Sequence, residues 1–283
     1  MRLKIAVAGA LVALGSAANA EPSSELTALP SPEERQYPMA ILGVQPGMLA
    51  EEAQALVEGR VDLELEPEVL KMSVTAPTGR MWHMEYPQRL VTAGIGPYAR
   101  MGSDPLEEVG LVLATGAMEG RVLSITRSMR NSNNELPPPD ALVAQLTETF
   151  GEPSMQENRG GQIKVVYAWG EDGKYTDLAS IEREWTEKRG NRESIHRYTP
   201  CLSGGSSAIR YDFQYPRSDE PVMLECSAVF TMVYVPGASS SKISFALTDY
   251  DLVRQHRDEV DRQIVETLMG EDAGETKPSE IPL

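Results

Sequence analysis

Three histidines, two cysteines and one close pair of carboxylates are the side chains of this 283-residue chain best suited to chemistry, and their spacing limits what each can do. Asp249 and Asp251 flank Tyr250. Paired carboxylates can divide acid and base roles, yet the pair also opens a helix, where a carboxylate accepts free amide hydrogens. Capping is the expected role. Arg80-Met81-Trp82-His83-Met84 offers thioether and imidazole, a ligand set that suits Cu(I). Strand alternation, however, puts Met81 with His83 and turns Met84 to the other face. Two ligands do not close a site, so methionine is expected here as a packing residue.

His83, His196 and His256 are too widely separated to read as a metal set. His256 sits on the apolar stripe of a helix and reads as a histidine at the edge of a core, not as a base. Ser203-Gly204-Gly205-Ser206-Ser207 lacks the Gly-x-Ser-x-Gly and Gly-x-x-x-x-Gly-Lys patterns and reads as a turn. No catalytic, cofactor-binding or metal-binding residue is therefore assigned from sequence.

The remaining reactive pair is Cys201 and Cys226. The two are too far apart for the Cys-x-x-Cys spacing that lowers a thiol pKa. In an oxidising compartment they are expected to form a disulfide worth about 3 kcal/mol in the chain-entropy account. The N-terminus supplies the compartment. Met1-Arg2-Leu3-Lys4 is basic, residues 5–14 are apolar, and Ala18-Asn19-Ala20 is a small-x-small cleavage site, which together describe a secretory signal peptide with a mature start at Glu21. The apolar run is about half the length of a membrane-spanning helix. Periplasmic or secreted residence, without span or lipid anchor, is the expectation.

Loss of Arg2 and Lys4 takes the formal charge from −16 to −18. Nucleic acid and anionic lipid attract the opposite sign, so neither is an expected partner. Solubility is the ordinary consequence of such an acid excess.

The elements that must position these residues alternate helix and sheet. Residues 48–57 repeat apolar side chains at helical spacing and stop at Gly59, expected as a left-handed cap. Strands are expected over 70–75, 81–86 and 89–92, broken at Pro87, with a hairpin over 108–115 and 121–129. Pro137-Pro138-Pro139-Asp140 leads into a helix over 141–150, closed by Gly151. Strands follow over 162–169, 181–185, 208–215, 223–235 and 242–247. A helix over 252–269 carries the stripe Val253, His256, Val260, Ile264 and Leu268.

Gly43-Val44-Gln45-Pro46-Gly47-Met48 before Glu51-Glu52, and Phe150-Gly151-Glu152-Pro153 after the second helix, resemble the helix opening and Gly-x-Pro close of SmpA/OmlA-like lipoproteins and β-lactamase-inhibitor-like envelope modules. The resemblance implies a tandem repeat, each helix packed on antiparallel sheet, used to bind other proteins. This chain departs from the pattern in lacking a cysteine for acylation beside the cleavage site and in placing Leu49 where Ser or Thr is usual. No functional residue carries over.

The expected fold is α+β, with antiparallel sheet under about three helices. Its segments are a signal peptide at 1–20, a flexible leader at 21–37, a helix-plus-sheet half at 38–151, a second half with the C-terminal helix at 152–269, and a disordered acidic tail at 270–283. The expected function is an exported, non-enzymatic protein that binds another envelope or secreted protein. The alternatives are a secreted hydrolase with an unrecognised carboxylate site and a binder of a small ligand.

Overall fold

The structure is a computed structural model that describes residues 26–29, 37–77, 79–93, 107–131, 136–189, 192–202, 209–217, 225–237 and 241–269. The signal peptide with Ala18 and Ala20, the Ser203–Ser207 turn and the 270–283 tail lie outside the described residues.

A short helix, α1 (Ala50–Glu58), precedes four strands: β1 (Leu65–Thr75), β2 (Met81–Thr92), β3 (Glu107–Leu113) and β4 (Val122–Asn131). A second helix, α2 (Pro139–Phe150), precedes β5 (Met155–Arg159), β6 (Gln162–Gly170), β7 (Gly173–Lys174), β8 (Arg183–Arg189), β9 (Arg192–Tyr198), β10 (Ala228–Val235) and β11 (Ser241–Asp249). The last helix is α3 (Tyr250–Met269). The chain is thus α+β. Among the described residues nine strands form one antiparallel sheet in the order β1-β2-β3-β4-β11-β10-β6-β5, with β7 on β6, while β8 and β9 pair with each other in a second sheet. Both helix-led runs contribute to that one sheet, and they meet at its centre where β4 pairs antiparallel with β11, Ser128 opposite Ser244.

Period-two alternation assigns the two faces. One face sends Leu111, Ile125, Val165, Tyr167, Phe230, Met232, Ile243 and Leu247 beneath α1 and α2, which add Ala53 and Val57, and the half-buried Leu142, Leu146 and Phe150. The opposite face sends Val112, Leu123, Val166, Ala168 and Val229 toward Leu252 and Val253 of α3, and Trp82, Met84 and Tyr86 toward its Val260, Ile264 and Leu268. One residue lets β2 serve both faces. Pro87 pairs with Val69 and Arg89 with Glu68, leaving Gln88 as an extra residue. This bulge reverses the parity, so Trp82, Met84 and Tyr86 face α3 while Leu90 joins the α1 side.

The bulge also explains one difference from the sequence expectation. Pro87 was expected to divide two strands, but β2 continues through it because a bulge tolerates a missing amide donor. Gly59 is a second correction, since it closes α1 with φ −76°, an ordinary right-handed value. The strand expected over 208–215 is not formed in its described part, since residues 209–217 are irregular. The leader expected to be flexible is tethered where it is described. Thr27 exchanges two 2.8 Å hydrogen bonds with the Gln263 side chain, the Leu29 amide donates to Ala117 O, and Tyr37 is buried. Leu26 and Leu29 supply apolar surface that the excess of Pro, Ser and Glu obscured.

No helix among the described residues is long and apolar enough to cross a membrane.

Candidate functional site

Polar side chains are concentrated on the α3 side of the sheet, in a row along the helix. Asp249 ends β11 and accepts the Leu252 amide at 2.7 Å, which makes it the helix cap. Its other oxygen accepts the Tyr37 hydroxyl at 2.9 Å. Asp249 is fully buried. Asp251 does not cap; it is partly exposed and pairs with Arg254 one turn on.

Two turns into α3, His256 points at a 3-10 turn, Gly116–Met118. Its Nε2 accepts the Thr115 amide at 2.9 Å, which places the neutral ring's proton on Nδ1. Nδ1 has no hydrogen-bond partner among the described residues. The ring is 1% exposed and meets Tyr211 edge-on at 5.5 Å. Burial, reinforced by the charges of Arg257 and Arg217, pulls its pKa down to about 3.

One turn further, Asp261 receives three donors. Tyr211 donates its hydroxyl at 2.7 Å, and Arg217 grips both carboxylate oxygens through Nε at 2.7 Å and Nη2 at 3.1 Å. This forked geometry is the strong form of the arginine–carboxylate pair. Burial and the bond to Asp261 raise the Tyr211 pKa, because ionising the phenol would set two buried anions against each other. Burial acts to lower the Arg217 pKa, but the bonds and charges of Asp261 and Asp212 outweigh it and raise it. Arg257 Nη2 donates to Arg210 O at 3.2 Å, and Gln88, the bulge residue of β2, donates to Tyr211 O at 3.2 Å. Residues 209–217 are thereby strapped across α3 by side chains from the helix and from β2.

The disulfide secures the ends of the same excursion. Cys201 and Cys226 are bonded, buried, and 5.6 Å apart at Cα. Glu225, the neighbour of Cys226, accepts the Tyr198 hydroxyl at 2.7 Å and pairs with Arg183 at 3.4 Å, so it also fastens the base of the β8–β9 hairpin. Burial and the carboxylate of Glu225 push the Tyr198 pKa up to about 12.

The remaining sequence candidates are dispersed. Met81 and His83 do share the face opposite α3, with His83 Nδ1 at 2.8 Å from Ser73 Oγ, while Met84 packs under α3. His196 stacks on Trp185 at 5.3 Å in the separate hairpin. No group of three His, Cys, Asp or Glu side chains arranged for a metal occurs among the described residues. Sequence reading found Asp249, His256 and the cysteines but missed Tyr211, Arg217 and Asp261. Asp261, seven residues before the stripe residue Leu268 and so at the border of the apolar face, was the available signal for a polar seam on that helix.

The site's acid and base groups face one another and the backbone, an arrangement that ties elements together. Comparison with known proteins finds no family model, no curated protein and no solved structure that matches this chain.

Proposed function

We propose that this chain is an exported, non-enzymatic protein of the cell envelope that acts by binding another protein. The observation that carries this reading is the state of the groups best suited to catalysis: Asp249, His256, Tyr211 and Asp261 are all buried and engaged in fastening α3 to its neighbours. General acid–base catalysis needs such groups within reach of a substrate proton. Here burial holds His256 neutral far below its ordinary range and Tyr211 protonated, the opposite of a pair poised near neutrality. Export accords with the basic-apolar-small N-terminus and with the buried disulfide.

The test has two arms. Mature chain immobilised at a single engineered cysteine-free tag is passed over envelope extract, and a protein retained at defined stoichiometry by wild type and by His256→Gln is expected. The purified chain is also assayed against a broad hydrolase panel. Turnover lost in Asp249→Asn, with folding intact, contradicts the reading. Export is checked separately by intact mass, with Glu21 expected as the first residue and an uncleaved precursor expected for Ala20→Arg.

A further inference from the structure

Residues 26–29, Leu-Thr-Ala-Leu, belong to no helix or strand, yet they are held against α3. The two leucines are half-buried: Leu26 packs against the cluster of Trp82, Ala117, Val260 and Ile264, and Leu29 against that of Met118, Leu123 and Val253. Thr27 and Ala28 between them are exposed. Three hydrogen bonds hold this stretch among the described residues, and all three use its backbone. Gln263 Oε1 accepts the Thr27 amide at 2.8 Å, Gln263 Nε2 donates to Thr27 O at 2.8 Å, and the Leu29 amide donates to Ala117 O at 2.8 Å.

The receiving side is fixed independently of the leader. Gln263 Nε2 gives its second hydrogen to Glu259 at 2.7 Å, and Arg262 Nε donates to the other oxygen of Glu259 at 3.0 Å. This relay orients the carboxamide, so that one acceptor and one donor stand ready for the N–H and C=O of a single residue. Such a contact reads extended backbone and not side-chain identity. The two apolar clusters add a requirement for apolar side chains three residues apart, and main-chain bonds combined with side-chain pockets are the means by which proteins take extended peptides.

We propose that this track along α3 is the docking site for an extended apolar-x-x-apolar segment of a partner protein, and that residues 26–29 occupy it in cis until the partner displaces them. The proposal rests on the protein-binding reading above and names its surface. Displacement is within reach because two half-buried leucines and three hydrogen bonds must offset the cost of ordering a segment that no helix or strand orders. The leader competes through proximity. Tyr37, bonded to Asp249, ties it to the fold eight residues after Leu29, and a tether that short gives an effective concentration of about millimolar. A free peptide therefore binds weakly while the leader is in place.

Fluorescence anisotropy with a labelled peptide of residues 22–33 tests the proposal on the mature chain. Leu26→Ser with Leu29→Ser empties the track, and so, without touching either leucine, does Thr27→Pro, which removes the amide hydrogen that Gln263 accepts. Each variant, its folding checked by a cooperative melting curve, is expected to bind the peptide at least about ten-fold more tightly than wild type does. Gln263→Ala added to either variant is expected to abolish the gain, and so is serine at both leucine positions of the peptide. No gain in either variant overturns the proposal. So does a wild-type dimer that the paired serines abolish, because the occupant is then a second copy's leader. The two readings fail separately: a protein retained from envelope extract equally by wild type, the paired-serine variant and Gln263→Ala leaves protein binding standing and removes this track as its site.

Discussion

The two faces of the sheet hold their helices by different means. Beneath α1 and α2 the contact is apolar: Ala53, Val57 and Leu142 meet a floor of Leu111, Ile125, Phe230 and Ile243. Beneath α3 the apolar stripe of Val253, Val260 and Ile264 is interrupted by Asp249, His256, Arg257 and Asp261, all buried. Apolar packing tolerates exchange of side chains of similar volume, whereas a buried charge requires its own partner in place. The polar seam therefore fixes which segment lies on α3. It selects the Arg217–Tyr211 strap and the leader residue Tyr37, elements with too little regular structure to position themselves.

The largest expected effects start with breaking the seam on one side only. Asp261→Ala leaves the half-buried Arg217 with Asp212 alone and the Tyr211 hydroxyl without its acceptor, and is expected to cost about 3 kcal/mol by urea unfolding. A change below 1 kcal/mol removes the distinction between the faces. On the apolar face, Leu111→Ala is expected to cost about 3 kcal/mol through lost burial and the cavity left behind. Replacing both cysteines by serine frees the ends of the strap's excursion and is expected to cost about 3 kcal/mol. Hydrogen exchange should then quicken in 209–217 before it does beneath α1.

The pH response sharpens the contrast because His256 lies on one face only. Its folded pKa of about 3 is below the ordinary 6.5, so the folded state refuses a proton that the unfolded chain accepts. Stability is unaffected above pH 6.5 and falls as pH drops toward 3, by about 1.4 kcal/mol per unit. By pH 5 the loss from this group is about 2 kcal/mol. In His256→Gln that part of the slope is expected to vanish, as read from urea midpoints between pH 7 and 5. The smallest effect separates the two aspartates: Asp251→Ala should change stability by under about 0.5 kcal/mol, since its partner is one partly exposed arginine. Asp249→Ala removes a cap and should cost about 1 kcal/mol or more. Equal values for the two contradict the assignment of Asp249 as the cap.

What could be read from the sequence follows the same division. The stripe of α3, the α2 helix and the β3–β4 hairpin were legible because apolar periodicity reports which face is buried. The α+β class followed from the order of those elements, and the disulfide from a lone pair of cysteines behind a signal-like N-terminus. The strap was not legible. Residues 209–217 alternate apolar and polar side chains as a strand would, but their hydrogen bonds go to side chains of α3 and β2, and no local pattern encodes partners so far away. β9 was hidden for a different reason. Its residues are nearly all exposed, so no buried face imposes an alternation on the sequence Arg-Glu-Ser-Ile-His-Arg-Tyr. Of the site, Asp249 and His256 were visible, while Asp261 on the same helix and Tyr211 and Arg217 on the strap were not.

The central claim is that the polar groups beneath α3 act as a structural clasp. It is tested most directly by a double-mutant cycle between Arg217 and Asp261, with Arg217→Met, Asp261→Leu and the double variant compared by urea unfolding. The clasp predicts a coupling energy of about 1–3 kcal/mol, with the double variant more stable than the two single losses imply. Losses that add to within about 0.5 kcal/mol contradict it, because groups that do not depend on one another do not hold the strap to the helix.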